Sequence, residues 1–336
     1  MSFEVVLVLL ATVAAISGIA RRFGLPAPFL LVLVGLVAGL VPGTPQVELD
    51  PDVVLVLILP PLLYAAALST AFADFRDNLR PIGLLSVGLV LVTTGVVGVV
   101  AHLVVPDLSL PAALALGAVV APPDAIAATA VARKMALPRR VLTILEGESL
   151  LNDATALVAY RIAVGAALAG GASWGHALGQ FVLAAGGGAL VGLALAWAIT
   201  ALRRRLDDPL LENALSLLTP FAAYLPAEAL HASGVLSVVV VGLYIGRRSP
   251  VLLSSSTRLQ GQALWSMVTF LLEGLVFALI GLQLPTVVEG LSGRDPQAVA
   301  LLTVATVLAV VLTRFAWVFP ATYLPRRLSS RIRAND

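Results

Sequence analysis

The sequence predicts an all-α membrane protein of about eleven spanning helices, with its N-terminus outside and its C-terminus inside. Three observations carry this expectation. Apolar residues fill 59% of the 336 positions and charged residues only 12%, with a mean hydropathy of +1.00. A soluble domain would carry about a quarter charged residues. Apolar stretches recur along the whole chain at the length of about 20 residues that a ~30 Å hydrocarbon core demands. The basic residues, finally, gather in alternate loops, the mark of cytoplasmic exposure.

In chain order the stretches lie near 3–20, 27–42, 52–71, 82–104, 111–133, 141–166, 176–202, 209–231, 233–247, 262–284 and 298–323. Glu4 is the only charged residue at the start of the first, with no basic region ahead of it, so Phe3 to Ala20 is expected to stay as a spanning helix and not to be cleaved as a signal peptide. Proline and glycine mark the expected breaks at Pro42–Gly43, Pro106, Pro138, Gly170–Gly171 and Pro285. The second and ninth stretches are short, and both carry paired glycines (LVGLVAGLVP and VVVVGLYIGRR). They read either as counterparts in an inverted repeat, as many transporters use, or as helices whose glycines permit close packing.

With the N-terminus outside, the inner loops hold Arg21 and Arg22, Arg76 and Arg80, Arg133, Lys134, Arg139 and Arg140, Arg203 to Arg205, Arg247, Arg248 and Arg258, and Arg326, Arg327, Arg331 and Arg333. These are 18 of the 21 Lys and Arg. The outer loops hold only Arg294, and Arg161 and Arg314 fall within spans. Omitting one helix would scramble every later loop, so the split supports both the count and the orientation.

Charged groups at bilayer depth cost a few kcal/mol each and point to function or pairing. They concentrate between Ala121 and Asp153. In the fifth stretch Pro122 and Pro123 interrupt the helix, since proline lacks the amide hydrogen and clashes with the preceding turn. Asp124 follows that break, where open backbone is tolerated only beside protein or a cavity. In the sixth stretch Ser149 and Asp153 are four apart and share a face, with Glu146 on roughly the same face nearer the cytoplasm. Glu148 and Asn152 share a neighbouring face about 100° away. Asp124 and Asp153 lie at similar depth. Two carboxylates, a hydroxyl and open carbonyls make an all-oxygen site suited to a hard cation. Arg314 lies at the depth of Glu148 and is expected to pair with it. No partner is evident for Arg161, and Glu273 is left without a role. Glu212 and Glu228 lie near the two ends of the eighth stretch, and His102, His176 and His231 at outer ends of spans.

These residues resemble a known family. PPDAIAATAVARK at 122–134 and ILEGESLLNDATALVAYR at 144–161 are similar to the signature of the monovalent cation:proton antiporter-1 family, the sodium/proton exchangers. LPPLLYAAAL at 59–68, EGLVFALIGLQLP at 273–285 and the arginine of LTRFAWVFPATYLP, Arg314, extend the likeness over nearly the whole chain. The resemblance implies an inverted-repeat antiporter fold and a homodimer. It makes Asp153 the carboxylate for which cation and proton compete, with Asp124, Ser149 and the carbonyl near Pro123 completing a Na+ site. Asn152, Glu148 and Arg314 would form the supporting polar cluster, and Glu146 a cytoplasmic funnel. The helices at 82–168 and 298–323 would be the ion-translocating core, moving past a dimerisation scaffold at 3–71 and 176–284. An Asn-Asp pair in this family goes with electroneutral exchange.

Two departures stand out. Members continue with further spans, among them a second broken helix that crosses the one at Pro122–Pro123, so the chain reads as truncated at its C-terminus. Ala65 occupies a position that is acidic in many relatives. The alternatives are a cation channel whose pore the same carboxylates line, or an inactive truncated antiporter fragment. An enzyme is not expected: Gly147-Glu148-Ser149 is followed by Leu150 and Leu151 and not by the glycine of a nucleophile elbow, and no H-E-x-x-H occurs. Absence of cysteine excludes disulfides and thiolate metal sites. No cofactor and no nucleic-acid partner is expected. The partners are the transported cation and proton, the lipid of the cytoplasmic membrane and a second copy of the chain.

Overall fold

The computed structural model describes residues 3–41, 54–123, 135, 137–169, 174–206 and 208–328. Asp124, Arg133, Lys134, Arg331, Arg333 and the breaks at Pro42–Gly43 and Gly170–Gly171 lie outside the described residues. All regular structure among the described residues is helical. Helix α1 is Phe3–Phe23, α2 Ala27–Gly39, and α3 Leu59–Ser69, preceded by a wider π turn at Val54–Ile58. Short helices α4 (Phe72–Asp77) and α5 (Leu79–Gly83) lead through a second π turn, Leu84–Leu89, into α6 (Val90–Val104). Then come α7 (Leu110–Val120), α8 (Arg139–Leu168), α9 (Trp174–Arg203), α10 (Pro209–Ala229), α11 (Gly234–Leu252), α12 (Ser255–Glu289) and α13 (Pro296–Leu328).

Among the described residues five segments are long and apolar enough to cross a membrane: Leu79–Val104, Gly175–Arg203, Gly234–Leu252, Ser255–Glu289 and Pro296–Pro320. Ala27–Gly39, Val54–Ser69 and Leu110–Val120 are apolar but shorter. Pro106 and Pro138 sit at helix boundaries, as the break signals require. Pro285 does not: α12 runs through it to Glu289. A proline deletes one backbone hydrogen bond, and a membrane helix tolerates that where neighbouring turns are held. Here the Pro285 ring abuts the space beside Gly39 of α2, and the turns before it carry the α2 contact described next.

The chain forms two compact units. The first comprises Met1–Ala65, Ala201–Phe221 and Pro250–Arg294. Its main contact is α2 on α12, made backbone to backbone by glycines. A Cβ on Gly35 would strike the Ala278 carbonyl, one on Gly281 the Val32 carbonyl, and one on Gly39 would come within 2.7 Å of the Leu282 carbonyl. Lipid tails are as apolar as leucine, so such small-residue approach replaces the hydrophobic effect as the source of helix association. Val13, Leu31 and Ala278 form the adjoining core, with Leu9, Ile16, Phe270 and Phe277 packed around it. A buried polar knot also lies in this unit. Trp265 Nε1 donates to Ser216 Oγ at 3.1 Å, the Tyr64 hydroxyl is 3.4 Å from the same oxygen, and the Tyr64 and Trp265 rings stand 5.0 Å apart.

The second unit comprises Ala66–Thr200, Ala222–Ser249 and Asp295–Asp336. Gly117 of α7 faces the Thr94 carbonyl of α6, and Gly147 of α8 faces Ile82 and Phe75. Gly188 and Gly192 of α9 face the carbonyls of Ser233 and Ser237, while Gly246 of α11 comes within 2.7 Å of the Leu68 carbonyl. The ninth stretch, expected to be short, forms the 19-residue α11, long enough to cross a membrane, whereas α2 is short. Gly35 and Gly39 of α2 and Gly246 of α11 are all contact points. Val90, Ala121 and Ala156 bury together where α6, the end of α7 and α8 meet.

Gly281→Val is expected to lower the thermal unfolding midpoint of the purified protein by several degrees, because overpacking a closed contact costs about 1–3 kcal/mol. Gly18→Ala adds a Cβ that meets nothing within 4 Å and should leave the midpoint unchanged. Equal midpoints for the two variants would contradict the α2–α12 approach.

Candidate functional site

Helix α7 starts at a capped turn and stops abruptly. Ser109 Oγ accepts the Ala112 N–H at 3.4 Å at its N-terminus, and the helix ends at Val120. Pro122 and Pro123 have no N–H to continue it. The carbonyl of Pro123 is instead taken by a side chain: Asn152 Nδ2 donates to it at 3.3 Å. Asn152 is wholly buried, at 0% exposure, and its Oδ1 accepts the backbone N–H of Asp153 at 2.7 Å. One amide therefore joins the end of α7 to the turn of α8 that carries Asp153.

Helix α8 is held along its length by polar contacts from within the same unit. At its first turn Arg139 Nη2 donates to Asp74 Oδ2 at 2.8 Å, and Arg140 Nε donates to Asn78 Oδ1 at 3.1 Å. Deeper in, Glu148 is 1% exposed. Arg314 Nη2 of α13 donates to its Oε2 at 3.1 Å and lies 2.9 Å from Oε1. Oε1 has charge attraction but no hydrogen-bond donor of its own among the described residues. Towards the other end, Arg161 Nη1 donates to Glu228 Oε2 at 2.6 Å, which supplies the partner that spacing alone did not reveal. Glu228 also accepts the N–H of Gly234 at 3.0 Å.

Of the expected site residues, Ser149, Asp153 and Glu146 are half-buried on α8. Asn152 reaches Pro123, and Glu148 reaches Arg314. Asp124 lies outside the described residues. Among the described residues no three His, Cys, Asp or Glu side chains gather into a cluster. Sequence reasoning missed Trp317. Its Nε1 donates to the Leu84 carbonyl at 3.0 Å, at the start of the second π turn. Its ring occupies the space that a Cβ on Gly88 would fill, within 2.7 Å. The only signal in the sequence was an aromatic residue one helical turn from Arg314, and nothing in it indicated the freed carbonyl.

What the arrangement can do follows from its charges. Glu148 and Arg314 neutralise each other. Asn152 is neutral, and its amide both donates and accepts. Asp153 is half-buried on the same turn of α8, next to that amide.

The family model described as "Sodium/hydrogen exchanger, transmembrane" matches residues 8–334. A Mycobacterium tuberculosis protein named as an uncharacterized Na(+)/H(+) exchanger is 41% identical over 325 residues, covering 95% of this chain and 59% of the relative. A Bacillus subtilis protein named as a sodium, potassium, lithium and rubidium/H(+) antiporter is 36% identical over 329 residues, covering 94% of this chain and 49% of the relative. The chain thus spans about half to three-fifths of the length of these curated relatives. Among solved structures, a sodium proton antiporter from Methanocaldococcus jannaschii is similar in fold, with a TM-score of 0.71 at 21% identity, covering 95% of this chain and 78% of that one.

Removing one partner of a buried ion pair strands the other charge and costs about 3–5 kcal/mol, whereas replacing both with apolar residues is often neutral. Arg314→Met should therefore lower the unfolding midpoint markedly. The double variant Glu148→Leu/Arg314→Met should recover most of that loss. A double variant as unstable as the sum of the two singles would mean that the pair does not carry the packing of α13 on α8.

Proposed function

The chain belongs to the sodium/hydrogen exchanger family, and we propose that it exchanges a monovalent cation, Na+, for H+ across the cytoplasmic membrane. The observation that carries this reading is the buried Asn152, whose amide bridges the broken end of α7 and the backbone of Asp153. That bridge holds the residue with the half-buried carboxylate beside the Pro122–Pro123 end of α7, where backbone oxygens freed from helix bonding can face an ion.

In the proposed mechanism Asp153 binds either Na+ or H+. Asp124, Ser149 and the Pro123 carbonyl complete the cation's oxygen shell. Glu146 lines the cytoplasmic approach. An unneutralised carboxylate is costly at membrane depth, so only the occupied site changes sides readily. The two fluxes are then coupled by competition alone, with no covalent step and no cofactor. Glu148, Asn152 and Arg314 fix the geometry around the site. The helices at 82–168 and 298–323 carry the site past a scaffold at 3–71 and 176–284 in a homodimer, an alternating-access movement within an inverted-repeat arrangement of eleven spans, N-out and C-in. The name of the Bacillus subtilis relative includes four alkali cations. Na+, K+, Li+ and Rb+ are therefore the set to compare.

The test is cation-driven proton movement in sealed vesicles, followed with an internal pH dye. A Na+ pulse should collapse an imposed pH gradient with the unaltered chain. Asp153→Asn should reduce that response to the level of empty vesicles, with the protein still present in the membrane. Unchanged exchange in Asp153→Asn would overturn the assignment. Large currents uncoupled from protons would identify a channel instead.

A further inference from the structure

Besides the pairs at its first turn and the contacts around Asp153, α8 makes a cluster at its far end that the proposed exchange does not use. That cluster is Arg161, Glu228 and the start of α11. Arg161 Nη1 donates to Glu228 Oε2 at 2.6 Å, with side-chain exposures of 41% and 24%. The other oxygen of Glu228, Oε1, accepts the Gly234 N–H at 3.0 Å, where the positive end of the α11 dipole favours an anion. Gly234 has to be a glycine here, because a Cβ would come within 2.7 Å of the Tyr224 ring and 2.9 Å of Glu228 Oε1.

The corner that presents Glu228 is itself rigid. His231 adopts a φ of 56°, and its N–H donates to the Glu228 carbonyl at 2.9 Å. The next residue, Ala232, donates to Ala227 O at 2.9 Å, and Ser233 N–H docks on the Ala184 carbonyl of α9 at 2.9 Å. Glu228 is thus a fixed post, and Arg161 ties α8 to it.

Helical geometry gives that tie a consequence. Arg161 lies thirteen residues beyond Glu148, about 20 Å along α8 and on a face about 140° away. Asp153 lies between the two. The pairs at the first turn, at Glu148 and at Asn152 all hold α8 from its start up to Asp153 and leave the half beyond it to bend or turn. The Arg161–Glu228 tie adds a hold on the far side, at a different height and on a different face from the Glu148–Arg314 pair.

We propose that Glu228 is a positioning residue for the Asp153 site, acting through Arg161 to hold α8 at the depth and rotation that cation binding requires. This rests on the assignment of Asp153 as the cation carboxylate. Glu228→Gln is the informative variant, since its amide oxygen can still accept the Gly234 N–H while the charge that holds Arg161 is gone. Arg161→Gln breaks the same tie from the other side and leaves the cap of α11 in place, so either variant serves if the other does not fold. The readouts are the Na+ concentration for half-maximal exchange, and that for half of the Na+-induced rise in unfolding midpoint.

Both constants should rise about fivefold in each single variant, the upper range for a partly exposed ion pair, while the maximal exchange rate changes much less. The double variant should be no worse than either single. Arg161→Glu combined with Glu228→Arg should move the constants back towards those of the unaltered chain. Unchanged constants in the folded single variants, or effects that simply add in the double, would overturn the positioning role. Asp153→Asn separates the two assignments. If it leaves the Na+-induced rise intact, the cation-site assignment fails. If it abolishes the rise while Glu228→Gln leaves it unchanged, only the positioning role fails.

Discussion

The constraint on which the second unit depends is the burial of Glu148. A carboxylate at 1% exposure inside an apolar helix packing is tolerable only if a cation meets it. Arg314 is that cation, and it is carried by α13, which is distant in sequence. The pair therefore dictates tertiary structure: α13 must lie against α8 at this height. Neighbouring features follow from that demand. Gly88 clears space for the Trp317 ring one turn along α13, and the Leu84 carbonyl at the π turn supplies its indole with an acceptor. A π turn leaves backbone carbonyls out of regular register and often marks a functional segment. Here it gives α13 a second attachment beside the ion pair.

The apolar contacts obey a different rule. Hydrocarbon offers no drive to bury leucine, so the helices associate where backbones can approach closely. In the first unit this is the α2–α12 contact through Gly35, Gly39 and Gly281. In the second it is Gly117 on Thr94, Gly147 on Ile82 and Phe75, and Gly188 and Gly192 on the start of α11. Gly147 immediately precedes Glu148, so the residue that allows α8 to approach Ile82 also sets the depth at which the buried carboxylate sits. Polar pinning and glycine packing are thus coupled on one turn of one helix.

How much of this was legible in the sequence depends on whether a feature is local. Helices were readable from apolar runs, because the length needed to cross hydrocarbon is fixed by the bilayer and not by neighbouring residues. The Glu148–Arg314 contact was readable because two opposite charges at one membrane depth have few other partners. The continuity of α12 through Pro285 was not, since whether a proline ends a helix depends on what holds the flanking turns, here α2. The Arg161 partner was not readable either. Glu228 sits at a corner formed by a left-handed His231, a conformation uncommon for a residue with a side chain. Asp124, the residue to which the motif gave most weight beside Asp153, lies outside the described residues.

The identity of residue 152 has a physical logic of its own. Its side chain both donates, to the Pro123 carbonyl, and accepts, from the Asp153 N–H. An ionised aspartate could only accept and would leave the Pro123 carbonyl without that donor. It would also add a second negative charge next to Asp153 at full burial, with Arg314 already engaged by Glu148. With asparagine, the neighbourhood of Asp153 holds one compensated pair and one neutral bridge. On the proposed reading, one carboxylate then needs one neutralising charge, either an alkali cation or a proton. The one-for-one exchange that the family resemblance implies for an Asn-Asp pair is compatible with a neutral bridge at residue 152, which adds no second negative charge beside Asp153.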